Sequence, residues 1–148
     1  MSAGTLSDVL TDESKKPAVI TDCLTLIDEE VDAKGGLSGL ALKAGYKVIK
    51  GIKPGFVQQV VTDLLPEFAA ALDPLYQEAK KDSKPVSDYF SANKGRAADA
   101  LLSITDAKAE RAKSGVVKGT YDKLRSTAKK NVEDAIPRLG RLIAKYAN

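Results

Sequence analysis

Apolar residues recur at spacings of three and four along most of the chain, and this period most restricts the fold. It places apolar side chains on one face of an α-helix, whereas a half-buried strand would alternate apolar and polar residues. One clear stripe consists of Val19, Ile20, Cys23, Leu24, Ile27 and Val31. β-Branched residues never accumulate in an alternating run. The pattern therefore predicts an all-α fold, a compact multi-helix bundle.

Glycine and proline divide the chain into helix-length segments. The predicted helices are a short one capped by Thr5, then 17–32, 38–51, a segment from Pro54 onward, a short one at 86–90, 97–112 and 117–146. Residues 82–85 are expected to form a linker and 93–95 a turn. Proline lacks the amide donor and clashes with the preceding turn. Pro66 and Pro74 are therefore expected to kink or restart their helix, and Pro137 to bend or divide the last one.

The 148 residues, 43% hydrophobic and 29% charged, suffice for one globular domain, predicted at 1–148. No stretch approaches the roughly 20 apolar residues of a membrane-spanning helix, and residues 1–13 lack the pattern of a secretory signal. A soluble, cytoplasmic protein is therefore expected. The single cysteine, Cys23, cannot form an internal disulfide, which agrees with a reducing compartment. Its place on an apolar stripe predicts a buried, inert thiol.

The chain contains no histidine. This absence removes the commonest general base, the usual imidazole metal ligand and every catalytic triad that uses histidine. With only one cysteine, a standard structural zinc site cannot be assembled either. Carboxylate, lysine or tyrosine chemistry stays open in principle, but no motif brings such groups together. We therefore expect a protein that is not an enzyme and that holds no cofactor and no metal.

The two halves of the chain, 1–76 and 77–148, align with one another in order, which suggests an internal duplication. The matches include 6–10 with 86–90, 22–27 with 99–104, Lys43 and Tyr46 with Lys118 and Tyr121, and 61–68 with 132–139. Several small gaps are needed, so the alternative is that any two amphipathic helical chains align this way. A true duplication would pack its halves about a pseudo-twofold axis.

Charge differs between these halves, with a net charge of −4 in the first and +7 in the second. Opposite charges favour packing of one half on the other, or head-to-tail contact between chains. The acidic run 28–32 lacks the ligand spacing of a calcium loop, so a solvated helix face is expected there.

Basic residues form two groups that can neutralise phosphates of nucleic acid or of lipid headgroups. The candidates are Lys43, Lys47, Lys50, Lys129, Lys130, Arg138 and Arg141. The alternative is that these are ordinary solvated side chains, because the isoelectric point near 8.9 is modest and no nucleic-acid-binding motif accompanies them.

Several short motifs resemble those of a family of small actinobacterial proteins without an assigned function. They are LSDVLTD at 6–12, KPAV at 16–19, GLSG at 36–39, KPG at 53–55, LLPEF at 64–68 and IPRLG at 136–140. The resemblance covers nearly the whole chain. It implies a helical, cytoplasmic protein, and it implies no activity, cofactor or partner.

These features leave four classes of function open, which differ in how well the sequence supports them. The leading hypothesis is a non-enzymatic helical interaction module, whose partner is another protein or a second copy of this chain. The main alternative is a phosphate-seeking binder that uses the basic C-terminal helix on nucleic acid or an anionic membrane surface. A carrier of an apolar ligand between helices is third, and an enzyme is last.

Overall fold

A computed structural model describes residues 5–147, which form seven helices and no strand. The helices are α1 (Leu6–Leu10), α2 (Lys16–Ala33), α3 (Gly36–Lys50), α4 (Phe56–Lys81), α5 (Val86–Ala92), α6 (Lys94–Glu110) and α7 (Gly115–Ala147). This confirms the predicted all-α helical bundle. Residues 1–4 and 148, which the single-domain prediction includes, lie outside the described range. None of the seven helices is long and apolar enough to cross a membrane.

The first helix begins at its predicted cap. The Thr5 hydroxyl accepts a hydrogen bond from the Asp8 amide at 3.0 Å, and the Asp8 carboxylate accepts one from the Thr5 amide at 3.2 Å. This reciprocal pair satisfies two amides that the helix leaves without partners. The Leu6 amide donates to the Asp73 carboxylate of α4 at 2.9 Å, which fixes α1 to the bundle.

Helices α4 and α7 run without interruption past their prolines. Of the predicted alternatives, α4 therefore does not restart at Pro66 or Pro74, and the last segment is one long helix and not two. Each proline removes only one amide donor from a long helix. Buried neighbours on both sides hold the adjacent turns in place, such as Leu65 and Leu72 in α4. Packing therefore outweighs the local preference of proline.

The core lies between α4 and α7, with α1, α2, α5 and α6 packed around them. Its largest fully buried side chains are Leu6, Val19, Phe90, Ile136 and Ile143. Helix α5 approaches α7 closely at Gly140. A Cβ there would lie 3.0 Å from Ser87 Cα and 3.4 Å from Phe90 Cβ, so the missing side chain lets α5 sit against α7.

Tyrosine hydroxyls link neighbouring helices through carboxylates. Four such bonds occur in the described residues: Tyr46 to Asp28, Tyr89 to Glu78, Tyr121 to Asp106 and Tyr146 to Asp22. In three of them a cation also binds the carboxylate, namely Arg96, Arg125 or Lys145. These clusters join α2 to α3, α4 to α5, α6 to α7 and α2 to α7. They are structural contacts that hold the bundle together.

The cluster around Glu78 predicts a pH dependence of stability. Hydrogen bonds from Arg96 and then Tyr89 hold the pKa of Glu78 at about 2, below its ordinary value of 4.5. A depressed pKa contributes stability above the unfolded value, which is lost as the pH falls towards the folded value. We expect the difference in free energy of unfolding between wild type and Glu78→Gln to be constant above pH 4.5 and to shrink between pH 4.5 and 2.

Urea unfolding at neutral pH and across that acid range measures this difference. Glu13→Gln is the control, because Glu13 is exposed and forms no ion pair among residues 5–147. Parallel stability curves for wild type and Glu78→Gln would contradict the prediction.

Ion pairs join the two halves of the chain, some with the basic residue in the first half and some with it in the second. Lys34 at the end of α2 pairs with Asp134 at 2.7 Å, and Lys108 near the end of α6 pairs with Glu67 at 3.0 Å. Each pair joins a helix of one half to the last helix of the other. Tyr46 and Tyr121, which match in the predicted duplication, each donate a hydrogen bond to a carboxylate of the preceding helix. The duplication itself stays a prediction.

Candidate interaction surface

Helix α3 packs on α7, α2 and α4 and leaves its outer side exposed. A Cβ at Gly45 would lie 2.8 Å from Leu124 Cδ1 and 3.2 Å from Thr120 Cγ2, so α3 approaches α7 closely at this glycine. On the neighbouring side, the Tyr46 hydroxyl donates to the Asp28 carboxylate of α2 at 2.6 Å. Burial and then this carboxylate raise the pKa of Tyr46, so the phenol stays protonated and keeps donating.

The outer side of α3 exposes an apolar stripe. Leu37 is 86% exposed, Leu40 64% and Val48 48%, and the exposed Ala41 and Ala44 lie between them. Their spacings of three, four and seven place them on one helical face. We call these five residues the α3 stripe. Exposed leucines clustered on one helix are typical of a surface that another molecule covers.

Lysines border the α3 stripe along one edge. Lys43, Lys47 and Lys50 are exposed and follow the same helical spacing. Lys50 also lies over the Tyr46 ring, with its Nζ 5.0 Å from the ring centroid. Lys43 and Lys47 form no ion pair among residues 5–147. The surface thus combines apolar side chains with free positive charge.

Carboxylates are absent from α3 and from the loop after it. The chain has no Asp or Glu between Lys34 and Asp63. The nearest acidic side chains belong to α2, where Asp28 and Asp32 line a shallow groove together with the three lysines. They lie within the same groove but form no ion pair with them. The nearest carboxylates therefore lie next to the lysines, on α2, and none lies on the α3 stripe itself.

The other four predicted basic residues lie on α7, apart from the α3 lysines. Lys129 pairs with Asp99 at 3.1 Å and Lys130 with Asp134 at 3.8 Å. Arg138 binds Glu30 at 2.5 Å and Glu29 at 3.2 Å. Arg141 is exposed and lines a second shallow groove with Arg138. The predicted basic residues thus form two separate groups, and most of those on α7 are already paired.

The acidic run on α2 is more than the solvated face that was predicted. Asp28 accepts from Tyr46, and Glu29 and Glu30 bind Arg138.

No cluster of three or more potential metal ligands occurs among residues 5–147. Cys23 is half-buried, and burial raises the pKa of its thiol to about 11, as a thiol on an apolar stripe should behave.

Sequence reasoning found the lysines of this surface but missed the exposed leucines beside them. It predicted a helix over 38–51 without separating the apolar positions that pack from those that stay exposed. The sequence does contain a signal for the exposed leucines. Apolar residues occupy most of the circumference of this helix, and the lysines form its main polar edge. A helix of that kind is normally covered on more than one side.

Comparison with known proteins identifies a family for this chain, and that family has no assigned function. Curated proteins and solved structures gave no match to it. A family model described as a family of unknown function, DUF6918, matches residues 6–147, which is nearly the whole chain. The expected relation to a family without an assigned function is therefore confirmed, and the chain belongs to this family of unknown function, DUF6918.

Proposed function

We propose that the protein is a non-enzymatic, cytoplasmic helical module that binds a partner protein through the α3 stripe. The observation that carries the proposal is the exposure of Leu37 and Leu40 on a helix whose opposite side is packed. Burying a leucine side chain is favourable by roughly 1.5–3 kcal/mol. Two such residues side by side supply the apolar centre that interfaces between proteins require.

The lysine edge indicates the charge of the partner. Lys43, Lys47 and Lys50 would lie at the rim of an interface centred on the stripe, where acidic side chains of a partner can pair with them. A second copy of this chain that docks by the same face supplies no carboxylate from α3. We therefore favour a different protein, with an apolar patch and an acidic rim, over a homodimer.

The phosphate-seeking alternative has weaker support. Lys129, Lys130 and Arg138 are held by acidic partners within the chain. Asp28 and Asp32 stand beside the α3 lysines and reduce the local positive potential. A nucleic acid or an anionic membrane surface needs several unpaired cations together. The apolar stripe would also contribute little to binding a phosphate backbone.

A photo-crosslinking amino acid in place of Leu40 would test the proposal in the native host. The same amino acid in place of Gln59, an exposed position on α4, is the control. The captured protein is then purified, and its affinity for wild type and for the double variant Leu37→Ser and Leu40→Ser is measured. We expect roughly 100-fold weaker binding by the variant, with unchanged thermal unfolding because both leucines are exposed.

Charge reversal gives a matched comparison. Lys43→Glu with Lys47→Glu is expected to weaken binding about tenfold at low salt. Lys81→Glu with Lys84→Glu, at exposed positions at the end of α4 and just after it, should leave binding unchanged. A captured protein that binds the leucine variant as tightly as wild type would refute the proposal. Self-association that the leucine variant loses would favour a homodimer in place of a different partner. Salt-sensitive binding to nucleic acid or anionic vesicles would favour the phosphate-seeking alternative.

A further inference from the structure

A cavity of about 300 Å³ lies between α2, α4, α6 and α7, away from the α3 stripe. Both halves of the chain line it. Along α7 its lining residues extend from Asn131 to Ile143, which is about 18 Å at the helical rise of 1.5 Å per residue. Its volume is at the lower end of the range of small-molecule sites.

The walls are almost entirely hydrocarbon. At the α1 end, Leu10, Val19, Leu72 and Ile143 are all buried and close the cavity. Apolar cavities do not hold ordered water, because water there finds no hydrogen-bond partners. Wall atoms that face an empty space also lose the dispersion contacts of a packed core. A hydrophobic molecule would restore those contacts.

A few polar side chains also line the cavity, among them Glu30, Thr105 and Asn131. Glu30 is bound to Arg138, and the Thr105 hydroxyl is hydrogen-bonded to the Tyr121 hydroxyl at 2.7 Å. The side chain of Asn131 makes no hydrogen bond to any other residue in 5–147. It can therefore donate to and accept from a ligand. A carboxylate ligand would meet Glu30 and find no unpaired cation among the lining residues.

We infer that this cavity binds an uncharged amphipathic molecule, an alkyl chain that ends in one neutral polar group such as an alcohol or an ester. The chain lies towards α1, and its polar group bonds to Asn131. The spread of the lining residues over about 18 Å of α7 suits a chain better than a compact ring system. This site is separate from the α3 stripe and does not depend on the proposed protein partner.

Calorimetric titration of the full chain with 1-decanol and with decanoate at pH 8 tests the inference. We expect saturable binding of one 1-decanol per chain, and binding of decanoate at least about tenfold weaker because its charge would be buried without a partner. Asn131→Leu should weaken 1-decanol binding about fivefold through the lost hydrogen bond. No saturable binding of 1-decanol, or equal affinity for decanoate, would overturn the inference.

A matched pair of variants on α4 locates the site. Ala69 is buried and lines the cavity, whereas the next residue, Ala70, is exposed. Ala69→Phe should abolish 1-decanol binding, and Ala70→Phe should not. Full binding by a folded Ala69→Phe, or loss of binding in the Leu37→Ser and Leu40→Ser variant, would place the ligand elsewhere and refute the inference.

If Ala69→Phe does not fold, a variant that enlarges the cavity is used in place of one that fills it. Leu102 is buried and lines the cavity, so Leu102→Ala lengthens or widens it. We expect this variant to shift the preference from 1-decanol towards longer alcohols. An unchanged order of affinities in a folded Leu102→Ala would count against the cavity as the site.

Discussion

Replacing Phe90 with alanine is expected to lower the free energy of unfolding by about 3–5 kcal/mol. Phe90 is fully buried, and it is the largest such side chain in the described core. The short helix α5 has only seven residues, so it depends on this anchor more than on its own hydrogen bonds. The loss would be a large part of the roughly 5–15 kcal/mol that stabilises a typical domain.

Phe56→Ala is the matched control, because the same side chain at Phe56 is only half-buried at the start of α4. Its loss should cost about 1–2 kcal/mol, in proportion to the smaller area buried. Urea unfolding followed by circular dichroism measures both variants, with the denaturant slope checked for constancy. Equal losses for the two would mean that α5 is not anchored by Phe90.

The positions of the helices were predictable from the sequence because their pattern is local. The apolar period, the Thr5 cap and Pro17 place the ends of α1 and α2 within a few residues of their observed bounds. The effect of Pro66, Pro74 and Pro137 was not predictable in this way. Whether a helix survives a proline depends on the packing of its neighbours, which are distant in sequence.

The lysines of the candidate surface were predictable from the sequence, but the exposure of its apolar residues was not. Spacing places Lys43, Lys47 and Lys50 on one face, and that much is local. Whether the apolar residues beside them face the core or solvent depends on which side of α3 meets α7, and Gly45 decides this through its contact with Leu124. The ion pair of Arg138 with Glu30 joins residues far apart in the chain, so no spacing could reveal it.

The cavity was hidden from sequence reasoning for the same reason. Every lining helix shows an ordinary apolar stripe, and the unfilled volume arises only from the distances between helices. Wall atoms that face this volume lack part of the dispersion contacts of a packed core, and a bound alkyl chain would restore them.

Gly140→Val is expected to lower the free energy of unfolding by about 3 kcal/mol. Helix propensity alone would favour the change, because glycine is the poorest helix former after proline. Packing opposes it, since even a Cβ at this position would lie 3.0 Å from Ser87 Cα and 3.2 Å from Ser87 O. These are backbone atoms of α5, which cannot move aside as the end of a side chain can. The clash should therefore outweigh the gain in propensity and push α5 from α7.

Gly119→Ala separates the two effects on the same helix. Gly119 is exposed, and a Cβ there would meet no atom within 4 Å, so only propensity acts. This variant should be more stable than wild type by about 1 kcal/mol. Gly140→Ala should fall between Gly140→Val and wild type. Urea unfolding of the three variants measures the series. A stabilising Gly140→Ala would mean that α5 does not sit against α7 at this glycine, and the anchoring role of Phe90 would fail with it.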